Sequence, residues 1–257
     1  MRTPTIFVAE PTAATPLNPV DVPDYFVRQH YLDFLDREPD ESGFNFWTNQ
    51  ILDCAADAGC LERKRINVSA AYFQSIEFQQ TGGLVDGLYR ASFGRRPLYS
   101  EFIPETALVA NAIVVGESDW AARMEANKQA FVEAWTQRAA FRASYDALSN
   151  REFVDALISH ASGFNGDRDS LVAGLNEGTL SRAAALRQIV ENDGFTRAKL
   201  NGMFVMMEYF GYLRRDPDAA GYQYWLDKLN AFDGNFEQAE MVRAFLVSSE
   251  YRARFPR

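Results

Sequence analysis

Apolar residues recur at intervals of three and four along most of the chain. In the first clear segment the stripe consists of Phe26, Tyr31, Phe34 and Leu35, which fall on one face of a helix with 3.6 residues per turn. Long alternations of apolar and polar residues, which would indicate strands, are absent apart from a short apolar run at residues 112–115. The pattern predicts an all-α protein.

One arrangement of side chains occurs twice, in residues 26–47 and 204–225. Shared residues stand 178 positions apart, so the two copies align without a gap. Each contains Arg-x-Pro-Asp-x-x-Gly-x-x-x-Trp, and each continues to a Ser-x-Glu-aromatic segment, at 75–78 and 248–251. Such internal repetition is typical of helical repeat architectures, in which each unit buries its apolar face against a neighbour.

Two fainter copies lie between the clear ones. The first begins at Leu84 and keeps an Arg-x-Pro turn at residues 95–97, whereas the second begins near Glu152 and lacks that turn. We therefore predict one helical repeat domain over residues 25–257, built from about four degenerate three-helix units. Their approximate bounds are 25–80, 84–142, 150–196 and 203–253. Five of the ten prolines fall within the first 24 residues, and we interpret residues 1–24 as a proline-rich linker.

The repeated motif supplies the candidate binding residues. They are Arg37, Asp40, Trp47, Arg215, Asp218 and Trp225. Physically, each proline should end the first helix, and each aspartate should cap the second helix at the N–H of Gly43 or Gly221. The tryptophans have the spacing of core residues that fill a groove between helices. For the two arginines we prefer a structural ion pair over a ligand contact, with the ligand contact as the alternative.

Composition and charge limit the classes of partner. The chain is 47% hydrophobic, enough for a sizeable core, and its formal net charge is −9. A negative chain repels phosphate backbones, so nucleic acid is not expected as a partner. No stretch approaches the roughly 20 apolar residues of a membrane span, and we expect no membrane insertion.

Only two cysteines occur, Cys54 and Cys60. They are too few for a zinc site without further soft ligands, and the two histidines, His30 and His160, are distant in sequence. The remaining choices are a small disulfide-closed loop and two unrelated thiols. We favour the Cys54–Cys60 disulfide, because the second repeat copy lacks five residues here and both cysteines would otherwise be exposed thiols in a loop. A disulfide indicates an oxidising compartment.

The search for catalytic patterns finds no nucleophile elbow, phosphate-binding loop, dinucleotide fingerprint or zinc-protease motif. His30 lies inside a regular amphipathic pattern, and its counterpart in the other copy is Glu208, which does not preserve its acid–base chemistry. We therefore expect no enzyme activity and no cofactor. An enzyme remains a third hypothesis, which needs a cleft with convergent carboxylates.

Residues 26–47, with the second copy at 204–225, resemble the bacterial DUF4214 domain, a module of unknown function. The helical unit is also similar to the phycobilisome linker domain, which holds other proteins together. The DUF4214 resemblance implies a position near the C-terminal end of a secreted or cell-surface bacterial protein. We expect a non-catalytic interaction or anchoring module with a protein or glycan partner at the cell surface. A carbohydrate-binding module is the alternative.

Overall fold

The computed structural model describes residues 18–255, and every regular element in that range is helical. The α-helices are α1 (Pro23–His30), α2 (Glu41–Leu52), α3 (Ala58–Gln74), α4 (Ile76–Gln80), α5 (Gly82–Phe93), α6 (Tyr99–Val109), α7 (Trp120–Thr136), α8 (Ala139–Tyr145), α9 (Asn150–His160), α10 (Arg168–Glu177), α11 (Arg182–Val190), α12 (Asp193–Glu208), α13 (Ala219–Ala231), α14 (Met241–Val247) and α15 (Ser249–Ala253). A single turn of π-helix (Tyr31–Leu35), called the first π-turn below, extends α1. A second one (Tyr209–Leu213), called the second π-turn, extends α12. The predicted all-α class is confirmed.

The helix starts follow from local sequence. Asp40 and Asp218 accept the N–H of Gly43 and Gly221 at the first turns of α2 and α13, both at 2.8 Å, as predicted. Ser149 caps α9 in a reciprocal capping box. These caps satisfy backbone donors that have no partner inside the helix.

The end of the first helix in each copy differs from the prediction. The helical backbone stops at Asp36 and Arg214, which adopt left-handed conformations with φ of 51° and 52°. Pro39 and Pro217 follow three residues later, after the chain has already turned. A left-handed residue is a common helix terminator, and a proline shortly after it prevents the helix from resuming.

The two clear copies pack directly against each other. The first π-turn contacts the second, and α14 packs on α3. The intervening helices are arranged around α5, which contacts α4, α6, α9, α11 and α12. One hydrophobic core, from Val20 to Phe255, runs through the whole body. No strand forms at residues 112–115, where the chain turns between α6 and α7.

The folded body begins earlier than the predicted boundary at residue 25. The Asn18 side chain accepts the N–H of Val20 and donates to the carbonyls of Arg252 and Phe255. Val20 is fully buried. Residues 18–24 are therefore part of the domain rather than linker, because they close the core against the C-terminal helix. The rest of the predicted linker, residues 1–17, lies outside the described residues.

The disulfide between Cys54 and Cys60 is confirmed, with the two Cα atoms 5.4 Å apart. Its surroundings differ from the prediction in one respect. Cys54 is buried in the turn after α2, and Cys60 lies in the first turn of α3, where Asp57 caps the helix. The bridge therefore closes the exposed segment of residues 55–59, as predicted, and fastens the first turn of α3 to the turn after α2.

We expect iodoacetamide to add no mass to the unreduced, denatured protein, because its only two thiols are joined. After reduction, two carbamidomethyl groups should be added. Intact-mass spectrometry reads both states. Two modified thiols without reduction would contradict the bridge and remove its support for an oxidising compartment.

Candidate functional site

Each copy has a turn of sequence Arg-x-Pro-Asp before its second helix, at residues 37–40 and 215–218, and we call each turn, with the first turns of the helix that follows, a corner. In the first corner the charged side chains pair with one another. Arg37 binds Glu77 through two parallel hydrogen bonds, Nε to Oε1 at 2.8 Å and Nη2 to Oε2 at 2.7 Å. Its Nη1 donates to the carbonyl of Glu38 at 3.1 Å, and its guanidinium lies over the Tyr31 ring. The bidentate geometry engages the donors that a ligand would otherwise use. The structural interpretation of Arg37 therefore accounts for its contacts.

The second corner repeats this arrangement with one difference. Arg215 binds Glu250 through Nε at 2.7 Å and Nη2 at 3.1 Å, donates to the Asp216 carbonyl, and lies over the Tyr209 ring. The pair is more exposed than the Arg37–Glu77 pair. It therefore contributes less to stability, since solvent screens exposed ion pairs.

Glu77 and Glu250 were missed as corner residues. The sequence contains a signal for them, because the Ser-x-Glu-aromatic segment is repeated in both copies, but the sequence analysis gave its glutamate no role. Its serine caps α4 or α15 at the N–H of the aromatic residue, and the aromatic side chain enters the core. The glutamate between them is thereby aimed at the arginine of its own copy.

The first helix of each copy, with its π-turn, approaches the start of the second helix so closely that only glycine fits at the corner. A Cβ on Gly43 would lie 2.2 Å from the Tyr31 hydroxyl, and one on Gly221 would lie 2.3 Å from the Tyr209 hydroxyl. Only glycine allows the first helix to pack this tightly on the second. Burial raises the pKa of Tyr31 to about 12, so its hydroxyl stays protonated near neutrality.

Hydrogen bonds and nearby charges lower the pKa of two corner carboxylates, Asp40 and Glu250. Burial alone would raise the pKa of the Asp40 carboxyl, but hydrogen bonds from the Gly43 N–H and the Ser42 hydroxyl, together with the Arg37 charge, lower it. The hydrogen bond from Arg215 likewise lowers the pKa of Glu250. Both carboxylates are therefore held in the ionised form that the ion pairs need.

The two corner tryptophans are half-buried. Trp47 lies beside Tyr72 and Trp225 beside Phe245, so both fill gaps between helices. The residue before each tryptophan was not predicted to be exposed. Phe46 and Tyr224 have 54% and 58% of their surface exposed, and each ring meets the adjacent tryptophan edge-on.

A cleft of about 260 Å³ adjoins the first corner. Arg37, Asp40 and Trp47 all line it, together with Tyr72 and Val115. The structure thus brings the three candidate residues of the first copy to one surface depression. Those of the second copy, Arg215, Asp218 and Trp225, form the corresponding corner on α13 and the loop before it.

The histidines lie apart from the corners. His30 is fully buried, and its Nδ1 donates to the Phe26 carbonyl at 2.8 Å. His160 ends α9, with Nδ1 3.2 Å from the Ala91 carbonyl. Within residues 18–255, no three His, Cys, Asp or Glu side chains are grouped to hold a metal ion. No helix of that range is long and apolar enough to cross a membrane.

A family model for a domain of unknown function, DUF4214, matches residues 18–82 and 186–255, together more than half of the chain. The chain belongs to the DUF4214 family. The two matched segments contain the two clear repeat copies. The inner unit predicted at 84–142 falls between the matches, and the one predicted at 150–196 overlaps the second match only from residue 186; both units stay a prediction. No curated protein and no solved structure matches the chain.

Proposed function

We propose that this DUF4214 protein is a non-catalytic interaction or anchoring module of a bacterial cell-surface protein. One observation carries the proposal. Phe46 and Tyr224 occupy equivalent positions on α2 and α13, and both project a large aromatic ring into solvent. Two matched, exposed rings on one domain form a pair of contact points for a partner.

The corners supply the rigid support that such contact points need. Arg37 and Arg215 are engaged by carboxylates of their own copies, and the aspartate caps fix the start of each helix. Each exposed ring also rests edge-on against a half-buried tryptophan. A preorganised aromatic side chain loses little conformational freedom on binding, which is why such residues are enriched at energetically important interface positions.

The proposed location is supported by the Cys54–Cys60 disulfide. Disulfides persist in oxidising environments such as the bacterial periplasm and cell surface, and they are rare in the reducing cytosol. A module that joins a larger protein to the cell surface would work in that environment.

Carbohydrate binding is the second candidate. The cleft at the first corner combines an aromatic wall from Trp47 and Tyr72 with the polar groups of Asp40 and Ser42. Aromatic faces flanked by hydrogen-bonding groups suit sugar rings, which have apolar C–H faces and polar rims. Phe46 and Tyr224, which lie outside this cleft, would be further stacking surfaces for a glycan.

The test is co-sedimentation of the purified protein with cell envelopes of its source organism. We expect the wild-type protein to sediment and the double variant Phe46→Ser plus Tyr224→Ser to lose at least tenfold in apparent affinity. The matched control is Leu108→Ser plus Val247→Ser, because these residues are slightly more exposed than Phe46 and Tyr224, at 63% and 61%, but lie outside the corners. The control should bind as the wild type does.

Periodate treatment of the envelopes separates the two candidates. Binding that survives oxidation of the glycans supports a protein partner, whereas binding that disappears supports carbohydrate recognition. Loss of binding in the control variant as well, or none in the Phe46 and Tyr224 variant, would contradict the role of the paired rings.

A further inference from the structure

A cavity of about 870 Å³ lies between two loops of the Arg-x-Pro type. One loop follows α5 and contains Arg95, Arg96 and Pro97, and the other precedes α13 and contains Asp216 and Pro217. Small-molecule sites commonly have volumes of about 300–1,000 Å³. The cavity is therefore large enough for a ligand of hexose size, and it is separate from the cleft beside Arg37.

Arg96 reverses the charge found at the same motif position in the clear copies. The middle residue of Arg-x-Pro is Glu38 in the first copy and Asp216 in the last, but arginine in this degenerate copy. Arg95 keeps the usual corner role, since it binds both oxygens of Glu101 at 2.7 Å. Its neighbour Arg96 is therefore an additional cation at this turn.

The Arg96 guanidinium is held in position while its donors are unused. It lies over the Tyr222 ring, with Cζ 3.3 Å from the ring centroid. Among the described residues it has no hydrogen-bond or ion-pair partner, and its Nη1 is buried. Stacking on an aromatic ring orients a guanidinium, whose planar fork matches the two oxygens of a carboxylate.

Besides Arg96, the floor of the cavity has a second place where positive charges outnumber negative ones. Arg90 and Lys199 share one fully buried carboxylate, Asp86, at 2.8 Å and 3.2 Å respectively. The Nη2 of Arg90 is buried, and the nearby Tyr222 hydroxyl helps to stabilise the Arg90 charge. Burial lowers the pKa of Lys199, an effect that Asp86 opposes. A nearby anion would further stabilise the charged lysine.

The charges of the cavity add up to one unmatched cation. Arg90, Arg96 and Lys199 face two carboxylates, Asp86 and Asp216. The fourth cation of the lining, Arg95, is already matched by Glu101. Asp216 also accepts the Tyr99 N–H at 2.7 Å, which ties it to the start of α6. One unmatched cation suits a monoanion better than a phosphate dianion, and this local excess contrasts with the net charge of −9.

We propose that this cavity binds the carboxylate of a small organic acid of hexose size, with Arg96 as the carboxylate-binding residue. The remaining walls include the apolar side chains of Phe195, Met206 and Leu98, which would face the uncharged part of the ligand. This site is independent of the aromatic contact points, so failure of either proposal leaves the other unaffected.

The test is isothermal titration calorimetry with sodium glucuronate, with glucose as the neutral ligand of the same size and glucose 6-phosphate as the phosphate ligand. We expect saturable binding of glucuronate and none of glucose. Absence of saturable glucuronate binding, equal binding of glucose, or tighter binding of glucose 6-phosphate would each overturn the proposal.

Variants locate the site. Arg96→Gln should weaken glucuronate binding at least tenfold, and Arg96→Lys, which keeps the charge but not the planar fork, should also weaken it. Arg95→Gln is the matched control, because it removes one charge at the adjacent residue whose donors Glu101 already uses; it should change affinity less than threefold. Equal losses in Arg95→Gln and Arg96→Gln would show nonspecific attraction and overturn the proposal.

Discussion

Asp33→Ala is expected to lower the free energy of unfolding by roughly 3–5 kcal/mol, the range for breaking a buried ion pair from one side. The Asp33 carboxylate is only 1% exposed. It accepts hydrogen bonds from Gln29 at 2.9 Å, Arg214 at 2.9 Å and Arg254 at 2.6 Å. Removing it leaves two guanidinium groups without their shared anion.

Asp33 joins the two clear repeat copies. It lies on the first π-turn, whereas Arg214 ends the second π-turn and Arg254 follows α15. Arg254 also donates to the carbonyls of Gly211 and Tyr212, at 2.8 Å and 2.6 Å. The carboxylate therefore anchors an arginine that itself holds the second π-turn, and its loss should weaken the contact between the copies.

Chemical denaturation with urea measures this effect, and Glu250→Ala provides the matched control. Glu250 also pairs with an arginine, but 49% of its side chain is exposed, so its removal should reduce stability by less than about 1 kcal/mol. A loss for Asp33→Ala no larger than that for Glu250→Ala would contradict the anchoring role of the buried carboxylate.

Acidification is expected to destabilise the protein through His30, by on the order of 4 kcal/mol between pH 6.5 and pH 3. Burial lowers the pKa of His30 from 6.5 to about 3, and the Phe26 carbonyl, which accepts from Nδ1, only partly opposes this. Because the folded pKa lies below the unfolded pKa, the stabilising contribution is complete above pH 6.5. It is lost as the pH falls toward 3, since the unfolded chain then binds a proton that the folded chain excludes.

The substitution His30→Phe isolates this contribution. Phenylalanine keeps an aromatic ring among Phe26, Phe34 and Tyr212. It also removes the buried Nε2, which has no hydrogen-bond partner in the described part of the chain. Urea unfolding of both proteins at several pH values between 3 and 8 should show the variant gaining relative stability as the pH falls. A difference that does not change with pH would contradict the assignment to His30.

Comparing the two proteins at each pH also removes the opposite effect of Glu208, the counterpart of His30 in the last copy. Burial raises the pKa of Glu208 well above 4.5. Its stabilising contribution is therefore present at low pH and is lost as the pH rises above the unfolded value. The same position thus destabilises the first copy at low pH and the last copy at pH values above the unfolded glutamate pKa.

The periodicity and the repeated motif predicted much of the fold. The all-α class and the aspartate caps of α2 and α13 were predicted. Each cap depends on a side chain within about four residues of the backbone group that it satisfies. The disulfide was also predicted, although its burial was not, since burial depends on how α3 packs. The π-turns were missed, because their apolar pattern is the same as that of an ordinary helix.

The candidate site was predicted only in its local part. The sequence placed Arg37 and Arg215 in tight turns, but their carboxylate partners lie 40 and 35 residues further along the chain. Which glutamate reaches each arginine depends on the packing of α4 and α15. The exposure of Phe46 and Tyr224 was likewise undetermined, because helical spacing does not distinguish a core position from one at the edge of the core.

By itself, the sequence determined that this chain is helical and that two copies of one motif cap and turn it in the same way. It favoured a disulfide between the two cysteines, which the structure confirmed. The tertiary structure alone decided which charges are paired, which are buried and which face a cavity. It buried His30, Glu208 and Asp33, and it left Arg96 stacked on Tyr222 with no hydrogen-bond or ion-pair partner among residues 18–255. Caps and turns follow from hydrogen bonds within a few residues, whereas desolvation and ion pairing depend on helices that are distant in sequence and adjacent in space.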